Sequence, residues 1–393
     1  MIASLNLGSA TRWGLNLLAL LGGAVALYLG ESIFIPTVIA LLLAAMLWPV
    51  VRWLRQGLRL PWTISCLTVV LGLVALNLLA TISLIPLTLK LLQDLPRPGD
   101  EESEKKVYVS VKERIGEIVP VEDVQPEDDR VFQYLHQLLN GPYITNALVQ
   151  LGWYGNSWLW QWVLIMFILL FLLVEGPMLT RRVVEIFGPS EEAQARALDA
   201  LGAMAHHVRT YLVWRTVVNF GLALLVGTVY QTMGLRQPWT WAFITGVLCY
   251  VPYIGPLAAG IPPVIDAFIT LGPQYAVAVI IFYTLVITLE GYVVVPVVMG
   301  RSMELNATTV MLACLFWERI WGLPGLFMAM PLMAAIKAIC YNVPDWRPWA
   351  NLMSTRVSIQ PPEKAPALDV TQTLLPEEID AIEAAAPGRL EKK

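Results

Sequence analysis

From Trp13 to Lys337 the chain alternates long apolar runs with polar links, all but one of them short, and this pattern predicts helices that cross a membrane. Runs over about 13–30 and 33–51, linked by Glu31 and Ser32, read as a helical hairpin. A third, about 61–90, carries no charge from Leu60 to Leu89, and further runs cover about 157–174, 211–233 and 274–299. Most approach or exceed the roughly 20 residues that span about 30 Å of hydrocarbon. Two more, about 241–270 and 306–338, are each interrupted by a Pro/Gly cluster: VPYIGP at 251–256 and WGLPG at 321–325. Proline removes a backbone donor and clashes with the preceding turn, so both clusters break a helix where a simple span would be continuous. The arms on either side, about 11–13 residues each, would cover only about 17–20 Å, which is short for crossing and suited to a re-entrant hairpin.

The expected fold is therefore all-α and polytopic, with about six spanning helices plus two re-entrant helical hairpins; eight spans is the alternative. Charge bears on this choice. Arg12, Arg52, Arg55 and Arg59 flank the first hairpin, which by the positive-inside rule puts the N-terminus in the cytoplasm. With two re-entrant segments, Arg301, Lys337 and the C-terminus also fall inside, whereas eight spans would leave Arg301 outside. The two broken segments with their preceding helices would then be units of opposite orientation, an arrangement found in many secondary transporters.

The polar segments complete five regions. Residues 1–92 hold the first three transmembrane helices, and 93–157 an extracytoplasmic acidic loop with twelve acids and six bases from Asp94 to Arg130. Within that loop Val107, Val111, Ile115 and Ile118, and again Val131, Phe132, Leu135, Leu138 and Leu139, fall on helical stripes. Residues 158–210 hold the fourth span and an amphipathic helix, which opens with Ser190 as N-cap followed by Glu191 and Glu192. Residues 211–340 form the core with the broken segments, and 341–393 a polar, Pro-rich cytoplasmic tail with a weak helix near Leu375 to Ala385.

Composition agrees with a membrane protein: 57% of the 393 residues are hydrophobic and 14% charged, against about 25% charged in soluble proteins. A net charge of −4 gives no reason to expect nucleic acid. Cys66, Cys249, Cys314 and Cys340 are far apart and lie in or beside apolar runs, so no metal site or cofactor is expected. Nucleotide-binding loops and hydrolase motifs are absent from the sequence, which argues against an enzyme.

Glu290 is the sharpest functional candidate. It lies ten residues before Gly300 in an apolar run, and an ionised carboxylate in hydrocarbon must be neutral, paired or solvated. Asp266 and Tyr253 in the first broken segment and Asn306 ahead of the second are the other transport candidates. Pro252, Gly255, Pro256, Gly322, Pro324 and Gly325 make the breaks, and Pro296 breaks the helix that follows Glu290. Glu318 and Arg319 are a possible ion pair beside the second break.

The C-terminal region resembles the autoinducer-2 exporter family, the PerM-type permeases of bacterial inner membranes. The resemblance rests on VPYIGP at 251–256 with Gly260 and Pro262, EGYVVVPVVMGR from Glu290 to Arg301, Leu305-Asn306, and WGLPGLFMAMPL from Trp321 to Leu332. Ala307 stands where the family often has proline, and Glu318-Arg319 where it often has small or aromatic residues. The resemblance implies a multi-pass transporter in the bilayer, assembled as a homo-oligomer. It would move either a small signalling molecule outward or sodium against protons. A non-transporting membrane scaffold is the alternative of another class.

Overall fold

The computed structural model describes residues 9–94, 101–117, 133, 142–186, 190–299, 305–343 and 346–355. They form helices in the order α1 (Ser9–Leu29), α2 (Glu31–Leu58), α3 (Trp62–Asp94), α4 (Glu101–Gly116), α5 (Pro142–Ile186), α6 (Glu191–Met233), α7 (Pro238–Leu248), α8 (Ile254–Thr270), α9 (Pro273–Leu289), a π-helical turn (Glu290–Val294), α10 (Val295–Met299), α11 (Ala307–Asn342) and α12 (Arg347–Met353). Among the described residues the only β pairing is an isolated bridge between Leu305 and Ser354. The stripe at Val131 to Leu139 and the helix expected near Leu375 lie outside the described residues. The protein is thus all-α and polytopic, and the described residues include six helices long and apolar enough to cross a membrane: Glu31–Leu58, Trp62–Ile82, Trp160–Ile186, Glu191–Met233, Pro273–Val298 and Ala307–Asn342. Leu17–Leu29 and Ile254–Thr270 are shorter apolar stretches.

The elements differ from the sequence reading in their joints. The amphipathic helix after Ser190 and the span after Tyr211 are one continuous helix, α6, begun by a hydrogen bond from the Ala193 N–H to Ser190 Oγ at 3.3 Å. No proline or glycine pair separates the two halves, so nothing local ends the helix at the polar–apolar change.

The chain divides into two units. One comprises Met1–Cys66, Phe167–Tyr211 and Met303–Lys393. Its core joins Ile35 of α2 to Val310, Ala313, Cys314, Trp317, Trp321, Met328 and Ala329 of α11. α11 is two helical arms meeting at Gly322, whose φ of 59° and ψ of −141° lie outside the helical region. Residues from both arms enter this one core. The Trp321 indole N–H donates to the Leu27 carbonyl at 3.0 Å, tying the break to α1.

The other unit comprises Leu67–Met166 and Leu212–Ser302. Its core joins Leu222, Val226 and Tyr230 of α6, Cys249 at the end of α7, Ala259 and Ala267 of α8, and Val279, Tyr283 and Val286 of α9. Small residues let α6 and α7 approach closely. A Cβ on Gly246 would lie 3.1 Å from the Ala223 Cβ, and one on Gly227 would lie 3.0 Å from the Ala242 Cβ. These are two small-x3-small pairs facing each other across the helices, the spacing that serves helix contact where lipid supplies no hydrophobic drive. At about 17 Å and 26 Å, α7 and α8 are unequal arms; the second is longer than the sequence suggested.

The two breaks share one device. A Cβ on Gly255 would collide with the Leu248 carbonyl oxygen, and one on Gly325 with the Trp317 carbonyl oxygen. Each glycine lets the second arm start directly against the backbone end of the first. Gly255→Ala should therefore lower stability by about 1–3 kcal/mol, the usual range for overpacking. Gly291→Ala, with no atom within 4 Å of the new Cβ, should change it by less than about 0.5 kcal/mol. Thermal unfolding of the detergent-purified variants checks the pair.

Candidate functional site

The first break is a tight turn with a strained residue at its centre. The Ile254 N–H bonds to the Pro252 carbonyl at 2.7 Å, closing a three-residue γ-turn. Tyr253 sits at its centre with φ 61° and ψ −58°. An L-residue there costs on the order of 1–3 kcal/mol and persists only where the surroundings over-determine it. The Tyr253 side chain is exposed, so the backbone of this residue, more than its hydroxyl, defines the turn.

Three side chains pin the turn from two helices. Arg215 of α6 donates from Nη2 to the Cys249 carbonyl, the acceptor left at the end of α7 where the helix stops. Thr216, the next residue, gives its hydroxyl proton to the Leu212 carbonyl at 2.7 Å, so the Tyr250 hydroxyl at 2.7 Å is the donor to Thr216 Oγ1. From α9, the Tyr283 hydroxyl donates to the Pro256 carbonyl at 2.8 Å. Gly260 makes room for that ring, since a Cβ there would sit 2.7 Å from Tyr283 Cε1.

Glu290 completes the arrangement. Its Oε1 accepts from Arg215 Nη1 at 2.5 Å, and the two residues are 7% and 8% exposed. Pro296 explains why Glu290 stands at a π-turn. Without an N–H, Pro296 cannot bond the carbonyl four residues back, and its ring crowds that carbonyl. The preceding turn widens, and the Val295 N–H reaches back to the Glu290 carbonyl, the five-residue spacing of a π-helix. Glu290, which the sequence places in an apolar run, and Pro296, expected to break the helix after it, thus meet in one local distortion, where the helix widens and continues to Met299. The partner of Glu290, Arg215, was not identified. The available signal was a guanidinium four residues into the apolar run at 211–233, a position that needs a counter-charge as much as Glu290 does.

Asn219 extends the polar face by one turn from Arg215. It is 2% exposed, and neither its Nδ2 nor its Oδ1 has a hydrogen-bond partner among the described residues. Because buried polar groups are nearly always paired, an orphaned amide one turn from an ion pair stands out on this helix face.

The other sequence candidates lie elsewhere. Asp266 binds the opposite end of the first broken segment: its Oδ2 accepts from the Trp241 indole at 2.7 Å and from the Gln237 N–H at 3.4 Å. That N–H opens α7, so the carboxylate meets the positive end of a helix. Asn306 is the N-cap of α11, accepting from the Thr309 N–H at 2.8 Å and donating to the Leu352 carbonyl at 2.7 Å, which occupies its amide in joining α11 to α12. Pro324 and Gly325 follow Gly322 within α11. Glu318 and Arg319 are both exposed and form no ion pair with each other, since adjacent residues on a helix do not face one another. Pro252 and Pro256 contribute their carbonyls to the turn, as described.

A family model described as AI-2E family transporter matches residues 17–345. The chain is 24% identical over 333 residues to the AI-2 transport protein TqsA of Escherichia coli K12, covering 82% of this chain and 91% of that protein. It is 23% identical over 331 residues to the putative transport protein YhhT of the same organism, with coverages of 83% and 90%. Over a shorter stretch of 129 residues, 33% of this chain and 36% of the relative, it is 27% identical to the putative transport protein YrrI of Bacillus subtilis.

A buried pair of this kind has a recognisable energetic signature. Arg215→Leu or Glu290→Leu alone leaves an uncompensated charge and should cost about 3–5 kcal/mol, whereas the double variant should recover most of that loss. A double-mutant cycle by thermal unfolding measures it, and additive losses would contradict the pairing.

Proposed function

Because the chain belongs to the AI-2E transporter family, we propose that it is a secondary transporter whose Arg215–Glu290 pair opens and closes during each transport cycle. The observation that carries this reading is the buried pair itself, held against the carbonyl at a helix break. In a membrane protein an enclosed charge pair at broken backbone is the usual setting for a substrate or coupling ion. The solute is small, polar and organic, of the kind for which TqsA is named, and it moves outward. The protein sits in a bacterial inner membrane with both termini cytoplasmic and functions as a homo-oligomer.

The chemistry follows from competition at one oxygen. A proton on Glu290 removes the charge that Arg215 faces, and the guanidinium then keeps only the Cys249 carbonyl. Without Glu290 to orient it, the guanidinium holds that carbonyl less firmly, and the strained turn at Tyr253 relaxes more readily. The Asn219 amide offers both a donor and an acceptor to a guest arriving beside the pair. Restoring the pair rebuilds the turn and disfavours the guest, which supplies the two discrete states that alternating access needs.

Sodium/proton antiport is the second reading and would use the same pair, since a carboxylate that exchanges a guanidinium for a proton can exchange it for sodium. Proteoliposomes separate the two. Under solute export, Glu290→Gln should lower AI-2 efflux at least about tenfold, while a sodium gradient moves no protons in wild type. Under antiport, a sodium gradient should drive proton movement that Glu290→Gln abolishes. Unchanged transport in Glu290→Gln would remove Glu290 from both. A protein that moves neither species and co-purifies in fixed ratio with another membrane protein would instead be a scaffold.

A further inference from the structure

Among the described residues, Arg52 and Arg209 are a pair of cations without a counter-ion. Arg52 directly follows the apolar run of α2 that ends at the fully buried Val51. Arg209 lies two residues before the buried Tyr211, at the start of the apolar run of α6. Both belong to the unit that holds Met1–Cys66 and Phe167–Tyr211. The two guanidinia lie near enough to repel one another. The Arg209 Nε is shut off from solvent and has no hydrogen-bond partner among the described residues.

The neighbouring basic groups are already engaged or open to solvent. Arg55, one turn along α2, lies over the Trp62 ring at 5.7 Å. His207 contacts the Ala203 carbonyl through Nδ1 at 2.7 Å, and His206 stands exposed beside it. No carboxylate among the described residues pairs with Arg52 or Arg209.

We propose that Arg52 and Arg209 form an anion site that takes a phosphate group. A like-charged pair with a desolvated, unused N–H is unfavourable alone, and an anion with several acceptor oxygens offsets both the repulsion and the lost hydrogen bond. Guanidinium suits this role because its planar fork of donors matches phosphate geometry. The setting at the polar ends of two apolar runs is where headgroup phosphates lie, so the group is supplied either by an anionic lipid or by phosphate free in solution. This site is independent of Glu290 and of the transport reading.

The test uses the full chain purified in detergent, with its thermal unfolding followed during titration by phosphatidylglycerol in mixed micelles and, separately, by inorganic phosphate. A saturable rise in Tm is expected in one arm, with half-saturation shifted at least about tenfold in both Arg52→Gln and Arg209→Gln. Arg59→Gln should titrate like wild type, as Arg59 lies on the exposed C-cap of α2. Response to phosphatidylglycerol alone identifies the source as a lipid headgroup; response to inorganic phosphate identifies a soluble anion. If Arg209→Gln fails to fold, Arg52→Gln carries the comparison. No response in either arm, or equal response in wild type and both variants, overturns the proposal.

Discussion

One guanidinium joins three pieces of backbone that the sequence keeps far apart. Arg215 reaches from α6 to the Cys249 carbonyl at the end of α7 and to the Glu290 carboxylate at the π-turn after α9. Each of those contacts falls where a helix is interrupted. α7 stops before VPYIGP and leaves carbonyls without intrahelical partners, while Pro296 widens the helix after Glu290. In hydrocarbon such groups cannot turn to water, so the interruptions are tolerable only where a fixed donor meets them. The strained Tyr253 turn persists under the same condition, since Thr216, Tyr283 and Arg215 all hold backbone or side chains within a few residues of it.

This dependence separates two kinds of proline and glycine in the chain. Gly255 and Gly325 are steric, each admitting the carbonyl of the preceding arm. Pro296 acts through its missing N–H, changing which amide bonds which carbonyl in the turn that carries Glu290. The second break has no polar clasp of the Arg215 kind among the described residues. It is held by aromatic packing, with Trp317 and Trp321 ring centroids 4.9 Å apart, and by the Trp321 bond to Leu27. The two broken segments thus repeat a steric motif while differing in charge, and the proposed chemistry belongs to the first.

Much of this was legible in the residues. The apolar runs gave the helices, the Pro/Gly clusters gave both breaks, and a carboxylate in an apolar run marked Glu290. The pairing with Arg215 was not legible because it is set by how helices 75 positions apart lie against one another, which periodicity does not encode. The π-turn was hidden for a related reason: Pro296 announces a disturbance, but whether the helix kinks or widens depends on its neighbours. Asn306 has a local role as well. Asparagine three residues before Thr309 is an ordinary N-cap pattern, and the structure uses it as one.

If the clasp holds the first break, loosening it must be felt locally and first. Amide hydrogen exchange of Arg215→Gln against wild type, read by mass spectrometry over residues 249–257 and over α11, tests this directly. The account predicts that exchange at the break quickens at least about tenfold while α11 keeps its protection, as expected of a local opening. Unchanged protection at 249–257 would contradict it.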